Sequence, residues 1–205
     1  LVMNKIHKYP SVDIEWGNHD IIWMGAASGS KVAICNVLRN SAKYNTLDTL
    51  EEGYGINLLP LSRLAEKYYS DDPCEVFMPR TLNSGPDEDD ELLVAKMHKA
   101  IAIIQFKLEK SLIDRNPQFE LEDRLLLDKI DYKKGIIVIN NKTYTLKDTN
   151  FPTIDPLNPY VLTDEEDALL DQLKNAWIFK HKSLPLNEGD LLKIKPMDKE
   201  RANVL

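Results

Sequence analysis

Near the start of the chain, Gly17-Asn18-His19-Asp20 separates an alternating segment from a helical one, and its polar side chains are of types that handle phosphate. Two divalent ions about 3.5–4 Å apart can clamp a phosphate and activate a water for in-line attack. An asparagine oxygen is a neutral, hard ligand for Mn2+ or Mg2+ that adds no negative charge opposite the phosphate. A histidine beside it can donate to a phosphate oxygen or protonate the departing alkoxide. Gly17 permits a sharp turn that aims both side chains at one place. The same residues also suit a plain turn and helix cap, because Asn and Asp favour such positions. Four residues alone leave these two readings balanced.

The elements around the turn follow from periodicity. Val12 to Trp16 alternates apolar and acidic residues, as a short strand does. Residues Ile21 to Tyr44 carry a helical pattern, with small residues in GAASGS allowing close approach to a neighbour. A phosphate-loop reading of that run is rejected: Gly25 and Gly29 are too close, and Ser30-Lys31 reverses the required order. A helix is predicted from about Leu58 to Tyr69, followed by a Pro- and acid-rich stretch that marks a boundary. The acidic run Asp87–Glu91 lacks the ligand pattern of a calcium loop and favours a helix N-terminus.

The next helix runs to about Asp114, with Leu93, Met97, Ala100, Ile101, Ile104, Leu108 and Leu112 forming its buried face. His98 lies beside that stripe as a surface or boundary residue. ELEDRLLLDKI predicts a short helix, and strands near Ile136–Asn140 and Thr143–Leu146 predict a hairpin. A Pro-punctuated linker then leads to a helix with Thr163 as N-cap and Glu166 three residues on. LLKIK near the end reads as one more strand.

With 205 residues and 43% hydrophobic content, the chain is long enough for a real core. Acidic residues outnumber basic ones by 33 to 26, giving a net charge of -7, which argues against nucleic acid or anionic lipid as general partners. No apolar run reaches membrane-span length and no signal segment opens the chain, so the expected compartment is the cytoplasm. Cys35 and Cys74 match no zinc spacing, and Cys35 reads as a reduced core thiol. The opening LVMNKIHKYP reads as the last turns of a helix stopped by Pro10, which is the expectation for a cut chain.

The runs YPSVDIEWGNHDIIWMGAASGS, YNTLDTLEEGYGINLLPL, DRNPQFELEDRLLLDKIDYKKG and LKDTNFPTIDP together resemble class 3 fructose-1,6-bisphosphatase, over nearly all of residues 1–174. That resemblance implies a manganese-dependent cytoplasmic enzyme of the calcineurin-like metallophosphatase class, removing the 1-phosphate of fructose 1,6-bisphosphate in gluconeogenesis. It implies that Asn18 is a metal ligand and His19 the acid that contacts phosphate, with Asp20 in a supporting role. FKHKSLPLNEGD places His181 on a histidine of the family, although Lys182 and Ser183 replace its Gly and Cys. The Asp-x-His and Gly-Asp-x-x-Asp-Arg motifs that supply most ligands in this class are absent before Asn18. One amide oxygen and one imidazole cannot hold two hydrated divalent ions, so this chain alone is expected to be inactive.

The implied fold is α/β, a mostly helical portion of a metallophosphatase sandwich, with one strand leading into the Gly-Asn-His-Asp turn and a small hairpin near 136–146. Residues 1–70 would belong to the metallophosphatase core, 71–150 form a helical and hairpin region, and 151–205 hold a linker, helix and divergent end. Two rivals stand beside the enzyme reading: a non-catalytic remnant or assembly module, and a protein-phosphate phosphatase of the same superfamily. An unpaired strand edge would favour oligomers.

Overall fold

The computed structural model describes Lys8, Ser11, residues 17–80 and residues 88–183, the last span with side chains from Asp90 through Trp177. The strands expected at Val12–Trp16 and in LLKIK lie outside the described residues. Helix α1 (Asn18–Ala27) begins at Gly17 and ends on Ser28. There Gly29 takes a positive φ of 86°. Its N–H donates to the Ala26 carbonyl at 2.9 Å and the Ser30 N–H donates to Gly25 at 3.0 Å, a Schellman close. Helix α2 (Lys31–Lys43) starts afresh, with the Ser30 hydroxyl accepting the Ala33 N–H at 3.4 Å. The single helix expected over Ile21–Tyr44 is therefore two. Small residues do bring the pair close: a Cβ on Gly25 would lie 3.0 Å from that of Ala33.

After a π-helical turn at Thr49–Gly53 come α3 (Leu59–Tyr69) and a 3-10 turn at Glu75–Phe77. The long helix α4 (Glu88–Asp114) packs against α2 and α3, and α5 (Asp164–Ser183) closes the bundle. Met97, Ala100, Ile101 and Ile104 of the expected stripe are buried, while Leu93 and Leu108 pack at the core margin. One core gathers Ile34 and Leu38 from α2, Leu61 and Ala65 from α3, Ile101 from α4, and Leu170 and Trp177 from α5. The start of α5 is the capping box read from sequence: Thr163 Oγ1 accepts the Glu166 N–H at 3.2 Å, and Glu166 accepts the Thr163 N–H at 2.8 Å.

Between α4 and α5 the segment ELEDRLLLDKI forms two 3-10 turns, Glu122–Arg124 and Leu127–Lys129, rather than one helix. A three-stranded antiparallel sheet follows: β1 (Ile130–Asp131), β2 (Ile136–Ile139) and β3 (Lys142–Thr145), in the order β1-β2-β3. β2 pairs with β3 through Ile137↔Tyr144. Asn140 and Asn141, at φ 50° and 60°, make the tight turn whose twist matches the strands. β1 escapes notice in the sequence because two residues carry no periodicity. Among the described residues the fold is mostly helical with this small sheet, and no helix is long and apolar enough to cross a membrane.

Gly135 enters the hairpin at φ 64°, where a Cβ would meet Thr149 Cγ2 at 2.9 Å. Gly135→Ala is expected to cost about 1–2 kcal/mol for the left-handed backbone, before any clash. Urea unfolding of the variant checks it.

Candidate functional site

Asn18, His19 and Asp20 form the exposed first turn of α1, beside N–H groups of the helix start that have no partner within the helix. The Asp20 carboxylate accepts the Gly17 N–H at 2.9 Å. This fixes the glycine that enters the helix and places negative charge at the helix's positive end. Asp20 is thus engaged in closing the turn. Asn18 and His19 are left facing solvent.

α1 meets α5 through Trp23 and Trp177, whose ring centroids are 6.1 Å apart, and Tyr54 covers the other side of Trp23 at 5.1 Å. His19 lies one helical turn before Trp23. His181 lies one turn after Trp177, in the last turn of α5, where side chains are outside the described residues. The structure therefore brings Asn18, His19 and Asp20 together and leaves the placement of the His181 side chain open. Among the described residues, no group of three or more His, Cys, Asp or Glu side chains is arranged to hold a metal ion. Manganese and magnesium favour several hard oxygen ligands, carboxylates above all. The donors among the described residues do not fit a dinuclear centre.

What the sequence reading missed is a line of buried lysines on α4. Lys96, Lys99 and Lys107 are 6%, 0% and 2% exposed. Each meets carboxylate: Lys96 pairs with Glu66 at 2.9 Å, Lys99 with Asp72 at 2.6 Å and with Asp148 at 2.6 Å, and Lys107 with Glu166 at 2.7 Å. Lys107 also donates to the Thr153 carbonyl at 2.6 Å. The signal was present in KMHKAIAIIQFKLEK: a helix apolar on most faces leaves no solvent for its polar positions, so each needs a buried partner.

Burial pushes the Asp72 carboxyl up, but Lys99, the Cys74 N–H and Asn150 outweigh it and hold it below its ordinary value of 3.8. Burial pushes His98 down from 6.5, reinforced by Arg39 and Lys43, although its hydrogen bond with the Phe77 carbonyl opposes this. His98 is half-buried, as its place beside the stripe suggested. Burial likewise raises the thiols of Cys35 and Cys74, the latter to about 12, and both are buried free thiols.

The signs combine in one direction. As pH falls below 6.5 the unfolded chain takes up the His98 proton first, so stability drops. Asp72 stabilises the fold above 3.8, and that share is lost as pH falls through its lower folded value. Urea midpoints are expected to decline in both windows, with His98→Gln flattening only the upper one.

A family model described as Firmicute fructose-1,6-bisphosphatase matches residues 1–187 of the chain. The class 3 fructose-1,6-bisphosphatase of Clostridium botulinum (strain Alaska E43 / Type E3) is 57% identical over 179 residues, which is 87% of this chain and 27% of that protein. That of Clostridium tetani is 56% identical over 182 residues, 89% of this chain and 28% of the relative. A Clostridium beijerinckii relative is 48% identical over 228 aligned positions, covering 98% of this chain and 34% of its own length. Since 228 exceeds the 205 residues of this chain, that relative carries positions with no counterpart in it. No solved structure matches. The chain belongs to the Firmicute fructose-1,6-bisphosphatase family. It spans between about a quarter and about a third of the length of the curated relatives it matches.

Proposed function

We propose that this chain is part of a metal-dependent sugar bisphosphatase that removes the 1-phosphate of fructose 1,6-bisphosphate, in cytoplasmic gluconeogenesis. The observation that carries this reading is the exposed first turn of α1, within a chain of that family: Asn18 and His19 are exposed, and Asp20 holds the entering glycine. His19 is assigned as the acid that gives its proton to the leaving sugar oxygen as the P–O bond breaks. Asn18 and His181 are assigned as donors to Mn2+, or Mg2+ in its place. The carboxylate ligands that a dinuclear centre needs must come from beyond the described residues.

With Mn2+ present, the chain by itself is expected to release no phosphate from fructose 1,6-bisphosphate above a protein-free control. A full-length class 3 enzyme assayed beside it should turn over. Turnover by the isolated chain at a comparable rate would refute the shared-site assignment. That the described residues hold no metal-ligating group also supports a second reading, a non-catalytic module that keeps the scaffold for assembly. That reading requires the chain to bind a protein partner with the Asn18 and His19 side chains dispensable for that binding, and the matching side chains of a full-length class 3 enzyme to be dispensable for its phosphate release.

A further inference from the structure

A small second core is built on Ile103, Leu127 and Ile154. Beside it lies a cavity of about 330 Å³ walled by Phe77, Ile103, Phe106, Leu127, Ile137 and Phe151. The hollow opens to solvent beside Val76 and Arg124, and it falls in the size range of small-molecule sites. It shares no lining residue with α1. Its charged lining is mainly cationic. Arg124 and Lys147 are exposed and, among the described residues, neither donates a side-chain hydrogen bond or forms an ion pair. Asp148 is the one carboxylate in the lining, and Lys99 already holds it. Asp71 and Glu75 line an adjoining polar hollow that also takes in Lys147, so Arg124 is the cation committed to this cavity.

An apolar hollow with cations in its lining is complementary to an amphipathic anion. We propose that the cavity binds an unbranched monocarboxylate of about eight to ten carbons, its chain among the aromatic and aliphatic walls and its carboxylate on Arg124, with Lys147 assisting. The site is independent of the phosphatase reading. It follows from the packing of α4 against the 3-10 turns and the hairpin.

Titration calorimetry with hexanoate, octanoate, decanoate and octan-1-ol tests it. Each added methylene is expected to tighten binding about fourfold until the cavity is full. Arg124→Gln should weaken octanoate about tenfold, the size of one charge-assisted contact, and leave octan-1-ol nearly unchanged. Val76→Trp, at an exposed position of the lining, should block both ligands without touching the core. Far-ultraviolet circular dichroism confirms that each variant folds. Absence of saturable binding, affinity independent of chain length, or octanoate affinity unchanged in Arg124→Gln or Val76→Trp would overturn the proposal.

Discussion

Lys107→Met is expected to destabilise the fold by about 3–5 kcal/mol, because it removes one partner of a buried ion pair and strands the other. Glu166 is 1% exposed, and Lys107 Nζ is its only cationic partner among the described residues, at 2.7 Å. Without the ammonium, the carboxylate keeps only the Thr163 N–H, and the Thr153 carbonyl loses its donor as well. Removing both charges should be gentler. Lys107→Met with Glu166→Leu replaces the pair by apolar volume and should recover the part of the loss due to the stranded carboxylate, leaving about 1 kcal/mol for the missing cap and about 1–3 kcal/mol for the Thr153 carbonyl, which has no donor in either variant. Urea denaturation of the two single variants and the double variant measures the cycle. A double variant no better than Lys107→Met would show that the pair is not the source of the effect.

The pair matters to the site because it anchors the start of α5 and the preceding linker to α4. From that anchored end, α5 carries Leu170, Leu173 and Trp177 into the core, and Trp177 then braces Trp23 of α1. The turn that presents Asn18 and His19 thus rests on packing whose alignment begins with a buried lysine.

The second large effect concerns His19. If its imidazole protonates the leaving alkoxide, removing it should lower turnover on the sugar bisphosphate by about 10²–10⁴-fold. The loss should be much smaller on 4-nitrophenyl phosphate, whose phenolate leaves without a proton. The experiment belongs in a full-length class 3 enzyme, such as that of Clostridium tetani, at the position matching His19. Equal losses on both substrates would reassign the residue from acid to phosphate binding or to support of the fold.

The parts of the fold legible in the sequence were those set by local chemistry. Thr163 and Glu166 announced a capping box, and the apolar steps from Leu93 to Leu112 announced a long buried helix. The hairpin followed from two β-branched runs around Asn140-Asn141. Other features depended on tertiary partners. The helix break at Ser28–Ser30 hid inside small residues that fit a helical pattern, and only the backbone at Gly29 reveals it. The burial of lysines 96, 99 and 107 depends on Glu66, Asp72, Asp148 and Glu166, which arrive from distant segments. At the candidate site, Gly17 to Asp20 could be picked out by residue type. The cap made by Asp20 was one of the two readings left open, and it leaves Asn18 and His19 exposed for the other. The remaining donors could not be read, because metal sites gather ligands that lie far apart along a chain.

The most direct test of the central claim is steady-state phosphate release from fructose 1,6-bisphosphate with Mn2+, in a full-length class 3 enzyme carrying the changes that match Asn18→Ala and His19→Ala. Each variant's fold should first be verified by urea unfolding. Both are expected to fold normally, and each to lose at least about 10²-fold in turnover. Wild-type turnover in either variant would contradict the role assigned to that side chain, and in both it would remove the first turn of α1 from the active site.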